Sequence, residues 1–467
     1  MRNPGSHAIV IGAGMGGLVA ARMLIDHYQC VTILERDGLP LEAVPRKGVP
    51  HGRHAHGLLA RGREALEDLF PGLTDGLIAA GAVPIDTLAD SRWFSHGVYL
   101  ANATSGLRSI LLSRPLLETH VRRRLRTFTG VCIQENAVVR KLTTAGDRVT
   151  GVCLHTGQTI DANLVVDASG RHSRSADWLA ELGYEKPAED TIGVRISYTT
   201  RILSRRPDHL GGKAIALVGA DAPMWRFGVA VAMEDDRWIV TQGGYFDDRP
   251  GQGDSGFLEF ARTLAAPEIA DLLTVAQPLT PATNFTFPAS RRWRYERLSS
   301  FPAGFLVFGD ALCSFNPIYG QGMTTAALEG LALGRCLQDG EEALAERFFA
   351  NAAPIIDIPW QIAAGSDLRH PQLADMQTPI GRFMNWYIGK VHRAAAKDPA
   401  VGRAFLRVTN LISPPTELFT PATLARVVLG ALRRRVWAGS RAYTSSRDAT
   451  RRARATHEHR RLADADG

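Results

Sequence analysis

Three glycines near the N-terminus have the spacing of a turn that binds phosphate. The stretch "HAIVIGAGMGGLVAARML" runs from an apolar strand into Gly12, Gly14 and Gly17 and then into a helical pattern. In such a turn the first glycine allows a sharp bend, the second lets a pyrophosphate approach the backbone, and the third lets the helix pack on the strand. The helix N-terminus adds unpaired N–H groups. The next strand, "CVTILE", ends at Glu35, whose carboxylate can bind ribose hydroxyls, so the pattern predicts a dinucleotide site.

A second segment, "GFLVFGDALCSFNPIYGQGMTTAAL", ends an apolar strand at a carboxylate and then starts a helix. Asp310 at the strand end can accept hydrogen bonds from a ribityl or ribose chain, and Pro317 and Gly320 shape a turn. Residues 320–323 open the helix, whose unpaired N–H groups attract negative charge. The reduced ring of a flavin carries such charge, so a helix start aimed at the ring would favour the reduced cofactor.

The stretch "GDALCSFNPIYGQGM" resembles the GD motif of the flavin monooxygenases related to para-hydroxybenzoate hydroxylase. The resemblance implies that FAD is the cofactor, that Asp310 contacts its ribityl chain, and that the following loop and helix hold its isoalloxazine ring. It also implies a flavin contact for Arg114, in "SRPLLETHVRRRL", and a place beside the adenine for Val138, at the end of "CIQENAVV". The segment "LVVDASGRHSR", with Asp167 and Gly170, is similar to the third FAD signature of that family.

The segment "RKGVPHGRHAHGLLARGREALEDLFPGL" is similar to the bacterial flavin epoxidases that prepare polyene precursors of polyethers. This closer resemblance implies that Arg46 and Arg53 face the pyrophosphate and that His54 or His56 lines the cavity beside the flavin. The spacing of His51, His54 and His56 could suggest a metal site. We reject a metal site because no carboxylate or cysteine ligand accompanies them.

These patterns together define the candidate site. The candidate cofactor-binding residues are Gly12, Gly14, Gly17, Glu35, Arg36, Arg46, Arg53, Arg114, Val138, Asp167, Gly170, Asp310, Gly320, Gly322 and Met323. The candidate residues around the flavin ring are His54, His56, Pro317, Gly320, Gln321, Gly322 and Met323. The candidate substrate-pocket residues are aromatic residues of the mid-chain strands, Trp225, Phe227, Tyr245, Phe285 and Phe287. No side chain is assigned as an acid or base, because the cofactor carries the chemistry, and no metal is assigned.

The resemblance implies that FAD, once reduced by NAD(P)H, reacts with O2 to give a C4a-hydroperoxide that transfers one oxygen atom to the substrate. The closer resemblance favours epoxidation of an alkene in a lipophilic secondary metabolite, and aromatic ring hydroxylation is the alternative. The third signature departs from the family pattern, since Ser169 precedes Gly170 and Ala176 replaces the final arginine. Electrons could therefore arrive directly from NAD(P)H or through a separate flavin reductase.

Other functions on the same fold are weaker alternatives. The halogenase signature Trp-x-Trp-x-Ile-Pro and the Tyr-x-Trp-x-Phe-Pro segment of prenyl-chain reductases do not occur in the sequence. A non-catalytic FAD-binding scaffold or sensor would share the same motifs. Its inability to turn over with any electron donor would distinguish it from an enzyme.

Composition is that of an ordinary globular protein. The chain has 467 residues, a net charge of +7 and five cysteines without C-x-x-C spacing, which argues against a disulfide framework. Apolar runs are too short for a membrane span, which needs about 18 residues. The N-terminus leaves no room for a signal peptide, so we expect a cytoplasmic location. The C-terminal stretch is basic, but it has few aromatic residues and no nucleic-acid motif, so we expect no nucleic-acid partner.

We therefore predict an α/β fold, with a discontinuous Rossmann-like FAD-binding domain, an inserted mixed or antiparallel sheet for the substrate, and a helical C-terminal region. The predicted FAD-binding domain comprises residues 1–90, 108–184 and 290–345. The predicted substrate domain comprises residues 91–107 and 185–289, and the helical region residues 346–445. Residues 446–467 are predicted to form a disordered basic tail.

Overall fold

A computed structural model describes residues 3–430 of the chain. The strands of this part, in chain order, are β1 Asn3–Ile11, β2 Tyr28–Leu34, β3 Val83–Asp86, β4 Ser91–Ser95, β5 Val98–Tyr99, β6 Arg108–Leu111, β7 Val131–Gln134, β8 Val139–Ala145, β9 Arg148–Leu154, β10 Thr159–Asp161, β11 Leu164–Asp167, β12 Glu189–Ile192, β13 Ile196–Ser204, β14 Ile215–Val218, β15 Arg226–Met233, β16 Arg237–Gly244, β17 Thr283–Phe287, β18 Ser290–Trp293, β19 Phe305–Val307 and β20 Cys313–Ser314. The α-helices of this part are α1 Met15–Leu24, α2 Ala60–Leu69, α3 Leu73–Ala79, α4 Arg114–Leu125, α5 Ser175–Glu181, α6 Gly253–Arg262, α7 Glu268–Val275, α8 Gly322–Gln338, α9 Leu344–Asp367, α10 Pro379–Ala395 and α11 Pro399–Thr409.

A five-stranded parallel sheet in the order β19-β11-β1-β2-β7 forms the centre of the FAD-binding part. Strand β1 lies between β11 and β2, with Ile9 opposite Val165 on one side and Thr32 on the other. The run of apolar residues in β1 is typical of a parallel strand that is covered on both faces. The C-terminal ends of these strands carry Glu35, Asp167 and the GD segment to one edge of the sheet, where ligands of such sheets bind.

A seven-stranded mixed sheet in the order β17-β13-β16-β15-β14-β4-β5 forms the second layer. Helices α6 and α7 pack against it, and Trp238, Phe257 and Ile269 belong to the core that they share. A separate cluster on the β13 and β17 side includes Tyr198 and Phe285. The parallel and mixed sheets with appended helices confirm the predicted fold class.

The C-terminal helices form a further core around Tyr387, Val391 and Phe405. Helix α9 contains Pro354 and Pro359, and a last helix covers residues 421–430. No helix in the described part of the chain is long and apolar enough to cross a membrane. The predicted tail of residues 446–467 lies outside the described residues, and the predicted domain boundaries stay a prediction.

Candidate active site

One cavity of about 540 Å³ lies where the predicted segments meet. Most of the predicted site residues line it, namely Gly12, Gly14, Glu35, Arg36, Arg46, His56, Arg114, Val138, Gly170, Phe285, Phe287, Asp310, Pro317, Gly320, Gln321, Gly322 and Met323. The cavity is within the size range of cofactor and ligand sites, about 300–1,000 Å³. Residues distant in sequence are therefore brought together around one cavity.

The glycine turn has the geometry that its sequence predicts. Gly12 has φ +102°, and a Cβ atom there would lie 2.7 Å from the carbonyl oxygen of Ala168. A Cβ atom on Gly17 would lie 1.8 Å from the carbonyl oxygen of Gly12, so this glycine is required for helix α1 to pack on the turn. At Gly14 a Cβ atom would meet only the guanidinium of Arg46, at 4.0 Å. Gly14 therefore leaves the backbone open to the cavity.

The carboxylate of Glu35 organises the end of β2. It accepts hydrogen bonds from the backbone N–H of Ala13 at 2.8 Å and of Asp37 at 3.1 Å. The guanidinium of Arg46 lies 3.1 Å from Glu35, 3.3 Å from Asp37 and 3.6 Å from Glu118. Arg46 is therefore a buried cation beside Gly14, at the position where the glycine turn would place a pyrophosphate.

The GD segment turns sharply between β19 and α8. Gly309, at φ +68°, donates its backbone N–H to the carboxylate of Glu329 at 2.8 Å. Burial raises the pKa of Glu329 to about 8. Farther along, the Asn316 side chain accepts from the backbone N–H of Ile318 at 3.2 Å, and Gly320 has φ +66° before α8 begins. These turns bring Asp310 and the start of α8 to the cavity.

His56 is held as a neutral ring between two groups. Its Nδ1 atom lies 2.9 Å from the carbonyl oxygen of His54, and its Nε2 atom lies 3.4 Å from the guanidinium of Arg114. A carbonyl accepts and a guanidinium donates, so Nδ1 carries the hydrogen and Nε2 the lone pair. Burial and the nearby Arg114 lower the pKa of His56 to about 3. Arg114 itself is paired with Glu118 at 2.7 Å.

His54 lies behind the cavity wall. It is 3% exposed, and its Nδ1 atom lies 2.7 Å from the hydroxyl of Thr200. Burial and the charge of Arg53 lower the pKa of His54 to about 4. Its ring packs at 4.8 Å against Tyr198, which does line the cavity. His54 therefore supports the wall from outside the cavity.

An aromatic wall closes one side of the cavity. Tyr198 on β13 is paired in register with Phe285 on β17, and their ring centroids are 5.5 Å apart. The guanidinium of Arg171 lies over the ring of Phe287 at 4.4 Å. Phe285 also packs against His51, whose pKa is lowered well below its ordinary value by burial and by Arg114. The wall is thus built from aromatic rings and neutral histidine around Tyr198 and Phe285, with the guanidinium of Arg171 beside Phe287.

The FAD binding domain family matches residues 6–344 of the chain. The chain belongs to this family. Protein Rv3254 of Mycobacterium tuberculosis is 35% identical over 439 residues, which cover 88% of this chain and 90% of that protein. The family match confirms the predicted cofactor, FAD.

Two solved structures show the same fold at low sequence identity. The flavin-dependent brominase Bmp2 has a TM-score of 0.61 at 13% identity and covers 92% of this chain and 100% of its own. PqsL of P. aeruginosa, in complex with 2-aminobenzoylacetate, has a TM-score of 0.60 at 16% identity and covers 77% of this chain and 95% of its own. The family match shows an FAD-binding protein and the solved structures show the shared fold, whereas the monooxygenase activity that the para-hydroxybenzoate hydroxylase resemblance implies stays a prediction. The polyether epoxidase resemblance stays a prediction.

The residues around the cavity fit FAD. The open backbone at Gly14 and the guanidinium of Arg46 suit a pyrophosphate, and the carboxylate of Glu35 suits ribose hydroxyls. Asp310 suits the ribityl chain, and the start of α8 suits the negative charge of a reduced ring. Together these donors and acceptors suit the chemical groups of FAD.

Seven predicted site residues do not line the cavity. Gly17 packs α1 on the turn, Arg53 has an exposed side chain, and His54 lies behind the wall. Asp167 is fully buried and accepts from the backbone N–H of Ser169 at 2.9 Å, so it shapes the loop that presents Gly170. The remaining three lie in or next to β15 and β16, in the same cluster as the wall residue Tyr198, but do not line the cavity: Trp225, Phe227 and Tyr245.

The sequence predictions did not include several residues that line the cavity. Tyr198 was not selected, although it alternates with polar neighbours in a strand next to that of Phe285. Arg171 directly follows Gly170 in the third signature, and that position was a usable signal. Lys47, His51 and Asn316 also line the cavity. Within residues 3–430, no group of three or more His, Cys, Asp or Glu side chains could hold a metal ion.

Proposed function

We propose that the protein uses FAD and O2 to add one oxygen atom to an uncharged, lipophilic small molecule, with epoxidation of an alkene as the favoured reaction. The observation that supports this substrate class is the wall of Tyr198, Phe285 and Phe287 beside neutral histidines. Such a surface favours apolar ligands, because it offers them burial without requiring a charged group to lose its hydration.

The chain would bind FAD through a cation for the phosphates and through carboxylates for the hydroxyl groups. Gly14 and Arg46 would hold the pyrophosphate, Glu35 the ribose and Asp310 the ribityl chain. When bound and reduced, FAD supplies the reaction with O2 that yields an electrophilic oxygen atom. The N–H groups at the start of α8 would stabilise negative charge on the reduced ring.

The chain's own contribution to the reaction is positioning and the exclusion of water. Arg114 is paired with Glu118, so it adds little free positive charge to the wall beside His56. The aromatic rings of Tyr198 and Phe285 cover this side of the cavity and would hold an apolar substrate near the flavin. Electrons would come from NAD(P)H, either directly or through a separate flavin reductase.

Aromatic ring hydroxylation is the second candidate function. The pair of Tyr198 and Phe285, tilted by 37°, presents ring faces that suit an aromatic substrate. PqsL, which shares the fold, has been solved with the aromatic compound 2-aminobenzoylacetate. Epoxidation is favoured here because of the resemblance of residues 46–73, and the uncharged surface of Tyr198, Phe285 and His51 suits an apolar alkene.

Rapid mixing would test the proposal without knowledge of the substrate. The FAD-loaded protein is reduced chemically under anaerobic conditions and mixed with oxygenated buffer, and absorbance spectra are recorded over time. We expect a transient spectrum that differs from those of the reduced and oxidised flavin. Direct reoxidation, with and without a panel of alkenes and phenols, would refute an oxygenase function.

Isotope incorporation would then separate the candidate reactions. Each alkene and phenol of the panel is incubated with the reduced enzyme under ¹⁸O₂, with bromide present in a parallel sample. An alkene product with one heavy oxygen supports epoxidation, and a labelled phenol ring supports hydroxylation instead. A brominated product would contradict both, and a saturated alkene would indicate a reductase.

A further inference from the structure

A buried carboxylate links the helical C-terminal region to the lining of the cavity. Asp367, the last residue of α9, is fully buried. One of its oxygens, Oδ1, accepts hydrogen bonds from the hydroxyl of Tyr245 at 2.7 Å, the side-chain amide of Asn316 at 2.8 Å and the hydroxyl of Tyr319 at 3.0 Å. Two of these three donors lie in residues 316–321, which we call the ring segment because it borders the proposed position of the flavin ring.

The ring segment forms part of the cavity wall. Asn316, Pro317, Gly320 and Gln321 line the cavity, and Tyr319 does not. The amide side chain of Asn316 is fixed at both ends, because its oxygen accepts from the backbone of Ile318 while its nitrogen donates to Asp367. Removing Asp367 would therefore release one side of the segment that borders the proposed flavin ring.

The second oxygen of Asp367 indicates that this carboxyl group has a functional role as well as a structural one. Its Oδ2 atom is buried and has no hydrogen-bond partner within the described part of the chain. Buried polar atoms in folded proteins are normally paired, and those without a partner often belong to functional sites. Burial raises the pKa of Asp367 to about 7, so its charge would change near neutral pH.

The tyrosine, arginine and histidine side chains around Asp367 differ from it in their titration. Tyr245 is buried and Tyr319 half-buried, and the pKa values of both are raised well above 10, so both hydroxyls stay neutral donors. Arg369 is a nearby cation that is itself paired with Asp221 at 2.8 Å. His370 stacks on Tyr245, and burial lowers the pKa of this histidine. The carboxyl group of Asp367 is thus the member of this cluster that would titrate near neutral pH.

We propose that Asp367 is a positioning residue that holds the ring segment in its flavin-binding conformation and holds it more firmly when protonated than when ionised. Burial is the largest influence on this carboxyl group, so the closed segment binds the proton more tightly than an opened, hydrated segment would. Ionisation therefore favours opening, although the hydrogen bonds to Oδ1 oppose this effect in part. That the segment borders a flavin ring rests on the proposed function. That Asp367 anchors the segment rests on hydrogen bonds within the protein itself.

Hydrogen–deuterium exchange of the ring segment in the protein without added FAD tests the hold directly. The protection of its backbone amides, corrected for intrinsic exchange, is measured at pH 6 and pH 8. We expect wild-type protection to fall by up to about tenfold between pH 6 and pH 8, because a carboxyl group with a raised pKa loses its stabilising proton over this range. Asp367→Asn keeps the shape but cannot titrate, so its protection should be equal at both pH values. An equal change in wild type and Asp367→Asn, or a rise in wild type alone, would overturn the proposal.

Two tyrosine variants provide the matched comparison. Tyr319→Phe and Tyr245→Phe each remove one donor to the same oxygen, but Tyr319 belongs to the ring segment and Tyr245 does not. We expect protection of the segment to fall more in Tyr319→Phe. Equal protection losses, or none, would contradict the role of Asp367 as the anchor of the segment.

The FAD-loaded protein gives a second readout. We expect the visible circular dichroism of bound flavin to change with a midpoint near pH 7 in wild type and not in Asp367→Asn. A flat profile in both proteins would overturn the pH-dependent hold but leave the oxygenase function intact. If the pH effect is present but no transient spectrum forms after mixing with O2, the oxygenase function is refuted and the pH-dependent hold on the ring segment stands.

Discussion

The guanidinium of Arg46 lies 3.1 Å from the carboxylate of Glu35, so the residue beside the glycine turn and the residue at the end of β2 form a buried ion pair. The pair joins the proposed pyrophosphate and ribose positions. Arg46 also lies near Asp37 and Glu118, which makes it the central cation of an acidic group. Binding of FAD would place further negative charge beside the same guanidinium.

Replacement of Arg46 tests this arrangement. Arg46→Ala leaves Glu35 and Asp37 without their cation, while Glu118 keeps Arg114. We expect the free energy of unfolding to fall by about 3–5 kcal/mol, as for a broken buried ion pair. FAD affinity should fall as well, and Arg46→Lys should lose less of both. Urea denaturation and quenching of flavin fluorescence provide the measurements.

The nearby Arg53 is the matched control for Arg46. Its side chain is exposed and does not line the cavity. We expect Arg53→Ala to change the free energy of unfolding by about 0.5 kcal/mol or less, as is usual at the surface. A loss of FAD affinity as large as that of Arg46→Ala would instead place Arg53 at the pyrophosphate, as the epoxidase resemblance implied.

Two glycines of one motif should respond differently to alanine. Gly17→Ala would place a methyl group 1.8 Å from the carbonyl oxygen of Gly12, so α1 could not pack and little folded protein should form. Gly14→Ala meets only a flexible guanidinium at 4.0 Å. We expect it to fold, with FAD affinity reduced by about tenfold or more because the methyl group enters the space of the pyrophosphate.

Circular dichroism and flavin titration distinguish the two glycine variants. Secondary structure should be preserved in Gly14→Ala and lost in Gly17→Ala. If both variants fold and bind FAD as wild type does, the assignment of this turn as the pyrophosphate site is wrong.

Features set by the local backbone could be predicted from the sequence. The glycine turn and the GD segment depend on sharp bends and on helix starts, which glycine, proline and asparagine encode within a few residues. Most of their residues accordingly line the cavity. Arg53 was assigned by resemblance, and the sequence does not tell which side of its short 3₁₀-helix faces the cavity.

Pocket residues on the mid-chain sheet depend on strand order, which the sequence does not encode locally. Trp225 and Phe227 come from the region of β15, and β15 is separated from β13 by β16. Phe285 lies on β17, next to β13, and so meets Tyr198 at the cavity. The aromatic residues alone could not show which strands border the flavin.

Acid should destabilise the protein through buried histidine. The pKa of His54 is about 4 in the folded state and about 6.5 in the unfolded chain, so the unfolded chain binds more protons between these values. The free energy of unfolding should therefore fall as the pH drops from about 6.5 to about 4, by at most about 1.4 kcal/mol per pH unit for this group.

Replacement of His54 separates titration from packing. His54→Gln cannot gain a proton, so its loss of stability between about pH 6.5 and 4 should be shallower than that of wild type. Any packing loss appears as a constant offset at pH 8, where neither side chain is charged. Equal slopes in the two proteins, measured by urea denaturation, would show that His54 is not buried in its neutral form.

The aromatic wall should protect the oxygen-reactive site from water. Phe285→Ala removes a ring that lines the cavity, so water would enter and the transient spectrum formed after mixing with O2 should decay faster, by about tenfold. Phe257→Ala is the matched control, because Phe257 is buried in the core between the mixed sheet and helices α6 and α7 and does not line the cavity. It should lower the free energy of unfolding by about 3–5 kcal/mol, as large-to-small core substitutions do, with little effect on the decay. Equal acceleration in both variants would mean that the decay reports general loosening, and the wall would then have no specific role in excluding water.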